Sequence, residues 1–296
     1  MLRSIVLACV LTALVIVAGC GEDATAPAPL RLAPPTNIAA ASGDGKLHVT
    51  WTPSTDEDFA QFTGYRITMN IVNSGRDTSW VLAKGTRSFT IPNLVNGEYY
   101  RIRVHALSTG GTPGTDSSAI IWCPAHQRSV DITGAPITIH SLTSGRPAGI
   151  DLYDDSGRVA LLDTESATFR TRGDLYAVIA NIAAPFELVS AELYPNGGGS
   201  RTEFSTVVVS ADSLHLATRP VMPALSTYVD SGVLLYQNEY TAARIHFGRT
   251  RTTQGWHYFR MLVRPGSDGR LVRGVGIDAH IVIELSYQSV VNVPFS

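Results

Sequence analysis

Arginine and aromatic side chains are concentrated between residues 244 and 273, where the chain could bind an anion or a sugar. This stretch contains seven Arg and a single acid, Asp268. A guanidinium group can bind a carboxylate or sulfate group through two parallel hydrogen bonds, and aromatic rings stack on flat ligand faces such as sugar rings. The alternative is a strand whose alternate residues are solvated arginines. The candidate ligand-binding residues are Arg244, Arg249, Arg251, Trp256, His257, Tyr258 and Arg260.

A second candidate is the acidic cluster formed by Asp151, Asp154 and Asp155. Calcium takes six to eight oxygen ligands, so clustered Asp residues in a loop could contribute to a metal site. The same segment has the composition of a hairpin turn between two strands, with Gly157 in the left-handed position. The flanking strands favour the turn, so calcium stays a weak candidate and no cofactor is expected.

Catalytic motifs are not found in the sequence. The Gly-x-Ser-x-Gly elbow of serine hydrolases is absent, and no catalytic residue is predicted. Paired carboxylates for glycosidic hydrolysis meet only in the folded chain, so they stay an open alternative. The candidate acids occupy alternating positions of predicted strands and are expected to face solvent: Glu187, Glu192, Glu203, Glu239 and Glu284.

The N-terminus has the pattern of a secretory signal. Arg3 is followed by an apolar run from Ile5 to Ala18, which is shorter than the roughly 20 residues that span a bilayer. The run ends in Val17-Ala-Gly-Cys20. This ending resembles the lipobox of bacterial lipoproteins, in which the Cys is acylated, for example with palmitate, and becomes the mature N-terminus.

The lipobox resemblance implies a location. Residues 1–19 would be the signal peptide, and Cys20 would carry the lipid at the start of a flexible Ala- and Pro-rich tether over residues 20–32. Residue 21 is Gly rather than Asp, which in Gram-negative lipoproteins points to the outer membrane. The leaflet, and hence periplasmic or surface exposure, stays open.

Charge and cysteine content exclude some functions. A formal net charge of −2 argues against nucleic acid as a partner. Of the three Cys residues, Cys9 would leave with the signal and Cys20 would be lipidated. Cys123 would then be alone, so stability must come from packed cores rather than a disulfide, and we expect an inert, partly buried thiol. No Cys and His cluster has zinc spacing.

The segment from residue 33 to 124 alternates between short strands and turns. Lys46–Trp51 places Leu47, Val49 and Trp51 on one face. About seven such strands describe an antiparallel sandwich. The segment also contains the motifs Pro34-Pro35, Leu47-x-Val49-x-Trp51-x-Pro53, Gly64-Tyr65-x-Ile67, Leu94 with Tyr100, and Ile102-x-Val104-x-Ala106. With these motifs it resembles a fibronectin type III domain, and the resemblance implies that Leu94 and Tyr100 form a tyrosine corner.

Residues 126–296 are also strand-like but resemble no family that we recognise. About nine strands are predicted, which suggests one larger antiparallel β-sandwich or jelly-roll-like domain, or two smaller domains with a break near residues 195–200. The closing apolar run, Ile281 to Phe295, is favoured as a core strand; exposed at an edge, it could support self-association. Predicted strands span residues 149–153, 158–163, 174–180, 187–194, 204–209, 233–236, 241–247, 256–263 and 277–287.

The sequence therefore predicts an all-β protein that is not an enzyme. It would be a membrane-anchored envelope lipoprotein, acting as a binding or structural adhesion module with the fibronectin-like domain as spacer. Its expected partners are the membrane, through the lipid, and a glycan or an envelope protein. The alternative is an extracellular polysaccharide-acting enzyme that carries the fibronectin-like domain as an accessory, an analogy at the level of fold.

Overall fold

The computed structural model describes residues 31–72, 74–75, 77–110, 119–154, 156–180, 184–195, 198–211, 214, 223–237 and 241–293. The predicted signal peptide, Cys20 and most of the tether lie outside these ranges. Within them, regular structure is almost entirely antiparallel strand, which confirms the all-β prediction. No helix in these ranges has both the length and the apolar composition needed to span a bilayer.

Seven strands form a first pair of sheets, here called the N-terminal sandwich. One sheet has the order β1-β2-β5 and the other β4-β3-β6-β7. The strands are β1 (Thr36–Gly43), β2 (Lys46–Thr52), β3 (Phe62–Ile71), β4 (Asp77–Ala83), β5 (Ser88–Ile91), β6 (Tyr100–Ser108) and β7 (Ala119–Trp122).

The core of the N-terminal sandwich follows from period-two alternation. Leu47, Val49 and Trp51 are buried on the inner face of β2, because alternate residues of a strand point to the same side. The ring of Trp51 packs edge-on against Tyr65, with centroids 5.5 Å apart. The expected tyrosine corner is present, since the Val95 amide donates to the Tyr100 hydroxyl over 2.9 Å.

Twelve further strands form a second pair of sheets, here called the C-terminal sandwich. One sheet has the order β11-β10-β12-β13-β16, and the other has the order β15-β14-β17-β18-β19-β8, with β9 also paired to β19. The strands are β8 (His126–Arg128), β9 (Ile137–His140), β10 (Gly149–Asp151), β11 (Ala160–Leu162), β12 (Leu175–Val178), β13 (Phe186–Ser190), β14 (Arg201–Ser210), β15 (Tyr228–Val229), β16 (Val233–Leu235), β17 (Arg244–Arg251), β18 (Trp256–Arg264) and β19 (His280–Tyr287).

The two sheets of the C-terminal sandwich share one hydrophobic core. Ile150 and Leu188 from the smaller sheet belong to the same buried cluster as Phe259, Met261 and Ile283 from the larger one. Residues on both sides of positions 195–200 contribute to this cluster, so the alternative of two smaller domains with a break there is wrong. All nine predicted strands are present, most of them shorter than expected.

The sequence patterns did not predict three short strands and the one α-helix described in the C-terminal sandwich. They are β8, β9, β15 and a six-residue helix, α1 (Ala167–Arg172). The helix begins at Ser166, whose side-chain oxygen accepts from the Phe169 amide over 3.1 Å, an ordinary N-cap. Strands of two to four residues are too short for an alternation to show, and a helix of this length has less than two turns of periodicity.

The first part of the closing apolar run, up to Tyr287, forms an interior strand. β19 pairs with β18 on one side and with β8 and β9 on the other, and Ile281, Ile283 and Leu285 are fully buried. A strand with neighbours on both sides offers no free edge for another chain. β19 therefore offers no free edge for self-association, and the core-strand prediction holds for the residues up to Tyr287.

The two sandwiches meet around Ser42 and Cys123. The Ser42 hydroxyl donates to the Cys123 carbonyl over 2.7 Å, and Gln288 Nε2 lies 3.3 Å from Cys123 Sγ. Arg128 pairs with Asp44 over 2.6 Å across the junction. Cys123 is completely buried, rather than partly buried as expected. Burial raises the pKa of its thiol to about 11, so little reactive thiolate forms at neutral pH.

Candidate ligand-binding cleft

The pairing of β17 with β18 distributes the predicted arginine and aromatic residues over two faces of the sheet. Arg251 lies opposite Trp256 and Arg249 lies opposite Tyr258, on the outer face. His257 lies opposite Thr250 on the face that points into the sandwich. Arg244 is at the far end of β17, about 23 Å from Arg251 at roughly 3.3 Å per residue. The predicted residues therefore do not form one site.

Arg249 and Arg251 both pack against the Trp256 ring. The Arg249 guanidinium carbon is 4.3 Å from the ring centroid and that of Arg251 is 5.9 Å away. Arg249 also donates through Nε to Glu203 over 2.7 Å, so an internal ion pair neutralises it. Over the described ranges, no acidic side chain lies within ion-pair distance of Arg251, whose charge remains available to a ligand.

Arg260 is not a surface residue, which corrects its assignment as a ligand-binding candidate. It is 1% exposed. Its Nη1 donates to the Leu214 carbonyl over 3.2 Å, and its Nη2 donates to the Ser42 carbonyl over 3.1 Å. Burial lowers its pKa to about 10, yet the side chain stays charged at neutral pH. Its hydrogen bond to Ser42 connects the two sandwiches at their junction.

Tyr258 and His257 are also buried, against the expectation of an exposed binding face. Tyr258 packs edge-on against Tyr228 with centroids 6.0 Å apart. His257 stacks on Tyr287 with centroids 5.5 Å apart, and its Nδ1 lies 3.0 Å from the Gln288 carbonyl oxygen. Strand alternation predicts which side of the sheet a residue occupies, but these side chains are covered by segments distant in sequence.

A cleft of about 520 Å³ opens at one end of the C-terminal sandwich, beside Arg251. Five elements meet there: the ends of β10, α1, β17 and β19 and the start of β14. Of the residues predicted in the arginine-rich stretch, Arg251 lines this cleft. Other groups that line it are Asp151, Tyr153, Arg172, Asp174, Arg201, Thr252, Thr253 and Tyr287.

One wall of the cleft depends on Gly199, which has a φ of +81°. Its amide donates to the Arg170 carbonyl over 2.6 Å at the end of α1. A Cβ at this position would lie 2.7 Å from the Gly173 carbonyl oxygen and 2.6 Å from the Ala191 side chain. Glycine is therefore required here by both conformation and space, and it brings the start of β14 against the helix.

Two buried carboxyl groups lie at the floor of the cleft. Asp151 accepts from the Tyr153 amide through Oδ1 and from Arg172 Nε through Oδ2, each over 3.1 Å. Asp174 accepts from the Leu152 amide over 2.8 Å and from the Thr250 hydroxyl over 2.7 Å. Each of the four carboxyl oxygens thus has a protein donor.

The environment of this pair favours a bound proton. Burial raises the pKa of Asp151 to about 7, and the negative charge of Asp174 adds to that effect. Burial also raises the pKa of Asp174, although the Thr250 hydroxyl and the Leu152 amide oppose it. Because two close buried carboxylates repel each other, the pair carries a proton over part of the neutral pH range.

The predicted calcium residues take other roles where the structure describes them. Asp154 Oδ1 accepts from the amides of Ser156 and Arg158 over 2.8 and 2.9 Å, and Gly157 has a φ of +72°. The hairpin turn is therefore present. Asp151 is engaged by Arg172, and Asp155 lies outside the described residues. In the part of the chain that the structure covers, no three His, Cys, Asp or Glu side chains form a metal-binding group.

The expectation that the glutamates face solvent is wrong for Glu203. It is 5% exposed and pairs with Arg249 and with Arg201, the latter over 3.0 Å. Glu284 is half-buried beside Arg264, 2.6 Å away. Glu187 is half-buried, Glu192 is exposed at the cleft, and Glu239 lies outside the described residues.

Comparisons with known proteins concern the N-terminal sandwich. Residues 33–142 match the model of the fibronectin type III domain. Fibronectin type-III domain-containing protein 3A of Mus musculus is 30% identical over 86 residues, which are 27% of this chain and 7% of that protein. The Homo sapiens protein of the same name is 29% identical over 86 residues, with the same shares. The chain thus matches a small fraction of these relatives' length.

Two of the solved structures that resemble part of this chain are described as single domains. The FN5 domain of Drosophila Lar is 24% identical and covers 31% of this chain and 96% of that one, with a TM-score of 0.27. The fn3 domain of human collagen alpha-1(XX) is 24% identical and covers 36% and 99%, with a TM-score of 0.28. The match to the family model shows that this chain contains a fibronectin type III domain. The family match continues to residue 142, but β8 and β9 pair with β19 of the C-terminal sandwich.

Proposed function

We propose that this protein is a lipid-anchored envelope lipoprotein whose C-terminal sandwich binds an anionic glycan in the cleft beside Arg251. In this proposal the fibronectin type III domain is a spacer between the membrane tether and the binding cleft. Such a domain indicates a binding or adhesion module in general terms. The observation that carries the finer proposal is an arginine without an ion-pair partner in the described ranges, at the edge of a ligand-sized cleft.

The charges around the cleft indicate where an anionic group would bind. Arg172 is paired with Asp151, and Arg201 with Asp230 over 2.8 Å. Arg251 is the lining arginine that forms no ion pair with a described acid, although exposed Glu192 also lines the cleft. A guanidinium group binds a carboxylate through two parallel hydrogen bonds. The anionic group of the ligand would therefore lie at the lip of the cleft, next to Arg251.

The remaining lining groups suit the neutral part of a sugar. Thr252 and Thr253 bring hydroxyl groups that both donate and accept. Half-buried Trp256 packs against Arg251 at the lip, with the guanidinium carbon 5.9 Å from the ring centroid, and so helps to position that arginine. The lining of this cleft is mainly polar and charged, with Tyr287 as an aromatic group, which suits a ligand rich in hydroxyl groups.

We infer binding rather than hydrolysis from the state of the two aspartates. A glycosidase needs one carboxyl free to protonate the leaving oxygen and a second to act as base or nucleophile. Here the oxygens of Asp151 and Asp174 each accept from a group of the protein itself. The pair thus supports the shape of the cleft floor, and the proposal assigns it no catalytic step.

The binding proposal is tested by calorimetric titration of the full chain in detergent with uronic-acid oligosaccharides and with neutral oligosaccharides of equal length. We expect the acidic ligands to bind more tightly and Arg251→Ala to weaken them at least tenfold, since an arginine–carboxylate pair is lost. Arg31→Ala, which removes an exposed arginine outside the cleft, is the matched control. Equal binding of neutral and acidic ligands, or an Arg251→Ala variant with wild-type affinity, would contradict the proposal.

The anchor is tested separately by metabolic labelling with a fatty acid. We expect the wild-type chain to incorporate label and to partition with membranes, because two or three acyl chains suffice for stable anchoring. The Cys20→Ser variant should incorporate none and should be released. Equal, low labelling of both proteins would overturn the lipoprotein part of the proposal and leave the cleft unaffected.

A further inference from the structure

Two histidines face each other at the ends of β9 and β19. His140 and His280 are directly opposite in the register, with ring centroids 5.1 Å apart and planes inclined by 36°. One residue further along, the Ser141 amide donates to the Ala279 carbonyl over 2.9 Å. Hydrogen-bonded and non-hydrogen-bonded pairs alternate in an antiparallel ladder, so the histidines form a non-hydrogen-bonded pair, whose side chains lie closest together.

The hydrogen bond made by His280 orients its ring as a metal ligand would be oriented. Its Nδ1 lies 2.9 Å from the Asp278 carbonyl oxygen. A carbonyl oxygen only accepts, so Nδ1 carries the proton and Nε2 of the neutral ring keeps its lone pair. Metal-ligating histidines are commonly held in this way, with the second ring nitrogen bonded to a carbonyl or carboxylate.

One ring nitrogen of His140 lacks a hydrogen-bond partner among the described residues. This atom is Nδ1, which is buried, although the ring as a whole is half-buried. A neutral imidazole nitrogen that lacks a hydrogen-bond partner can bind a metal ion.

We propose that His140 and His280 together chelate a divalent transition-metal ion of the Zn²⁺, Ni²⁺ or Cu²⁺ class. With metal–nitrogen bonds of about 2.0–2.1 Å, two tetrahedral ligands lie about 3.4 Å apart. Rings with centroids 5.1 Å apart can place one nitrogen each at that separation by small rotations. Imidazole ligands select these ions over Mg²⁺ and Ca²⁺, which prefer oxygen.

The proposed site lies between β9 and β19, near the start of the C-terminal sandwich. β9 follows the junction with the first sandwich, and β19 is an interior strand of the larger sheet. An ion bound by both histidines would link β9 to β19 and stabilise the folded chain by mass action. Arg146 repels a cation and Asp278 attracts one. With two protein ligands and water in the other positions, the site is expected to be of modest affinity.

The test uses the full chain, prepared without a polyhistidine tag, in equilibrium dialysis against NiCl₂ and ZnCl₂ at neutral pH. We expect one ion per chain and at least a tenfold loss of affinity in both His140→Gln and His280→Gln. The double variant should bind the metal with an affinity no lower than that of the weaker-binding single variant. His48→Gln, in the N-terminal sandwich, is the matched control and should bind as wild type. Wild-type affinity in both variants, or no bound ion in the wild type, would overturn the proposal.

A second measurement keeps the test valid if a variant folds poorly. On the wild-type chain, Zn²⁺ and Ni²⁺ should raise the melting temperature, and they should shift the imidazole carbon-bound proton resonances of two histidines in nuclear magnetic resonance spectra. Mg²⁺ should do neither. Equal effects of Mg²⁺ and Zn²⁺, or shifts confined to other histidines, would count against the chelate.

Discussion

The two sandwiches share an antiparallel architecture but differ in what they bury. Among the described residues of the N-terminal sandwich, Glu57 is the buried charged side chain, and it is paired with Arg87 over 2.9 Å. The C-terminal sandwich buries Asp151, Asp174, Glu203 and Arg260, as well as His246 and His257. Removing a charge from water is costly unless pairing or hydrogen bonds compensate. The first sandwich is therefore built as a scaffold, and the second retains costly polar groups near its cleft and junction.

The largest expected effect tests whether a buried charge can support the junction. Arg260→Ala should lower the free energy of unfolding by about 3–5 kcal/mol, because it leaves a cavity and two buried carbonyl groups without a donor. Arg264→Ala, on the same strand but partly exposed beside Glu284, should cost less than about 1 kcal/mol. Urea denaturation of both variants measures the difference. Equal costs would show that Arg260 has no special role.

The next effect concerns the cleft floor and its dependence on pH. A raised pKa means that the folded chain holds the proton of Asp151 more tightly than the unfolded chain does. Its stabilising contribution is therefore present below about pH 4 and is lost as the pH rises through about 7. Each pKa unit corresponds to about 1.4 kcal/mol, which gives an upper bound of about 4 kcal/mol.

The variant Asp151→Asn cannot lose this proton. We expect its stability relative to wild type to increase between pH 4 and pH 8, as measured by thermal denaturation at each pH. Asp154→Asn is a control of opposite sign. Burial alone would raise the pKa of Asp154, but the amides of Arg158 and Ser156 lower it, so this variant should lose relative stability above pH 4. A parallel trend in both variants would refute the sign derived for Asp151.

The smallest effect sharpens the description of the first sandwich as a scaffold. Tyr100→Phe removes the hydroxyl that accepts from the Val95 amide and should cost about 1 kcal/mol, the usual net contribution of such a hydrogen bond. Tyr99→Phe, one residue earlier and 37% exposed, should be nearly neutral. Chemical denaturation compares the two, and glycan binding should be unchanged in both. A loss of binding in Tyr100→Phe would mean that the spacer contributes to the site.

Most of the strands could be predicted from the sequence, whereas little of the cleft could. Leu47, Val49 and Trp51 show their alternation within six residues. Asp151 is the last residue of β10 and Asp174 directly precedes β12, so no local sequence spacing relates them. Asp151 stood out only as part of an acidic turn. Arg251 was found through composition, because arginines clustered near a tryptophan are a signal that survives without knowledge of the fold.

By itself, the sequence determined the all-β class, the order of the main strands and the fibronectin type III domain, because alternation and turn residues act over a few positions. Tertiary structure alone decided that Arg260 is buried at a junction, that Glu203 pairs inside, and that His140 meets His280. These outcomes depend on which distant segments cover a strand face and on the register between strands. Neither is encoded in the period-two pattern that makes the strands.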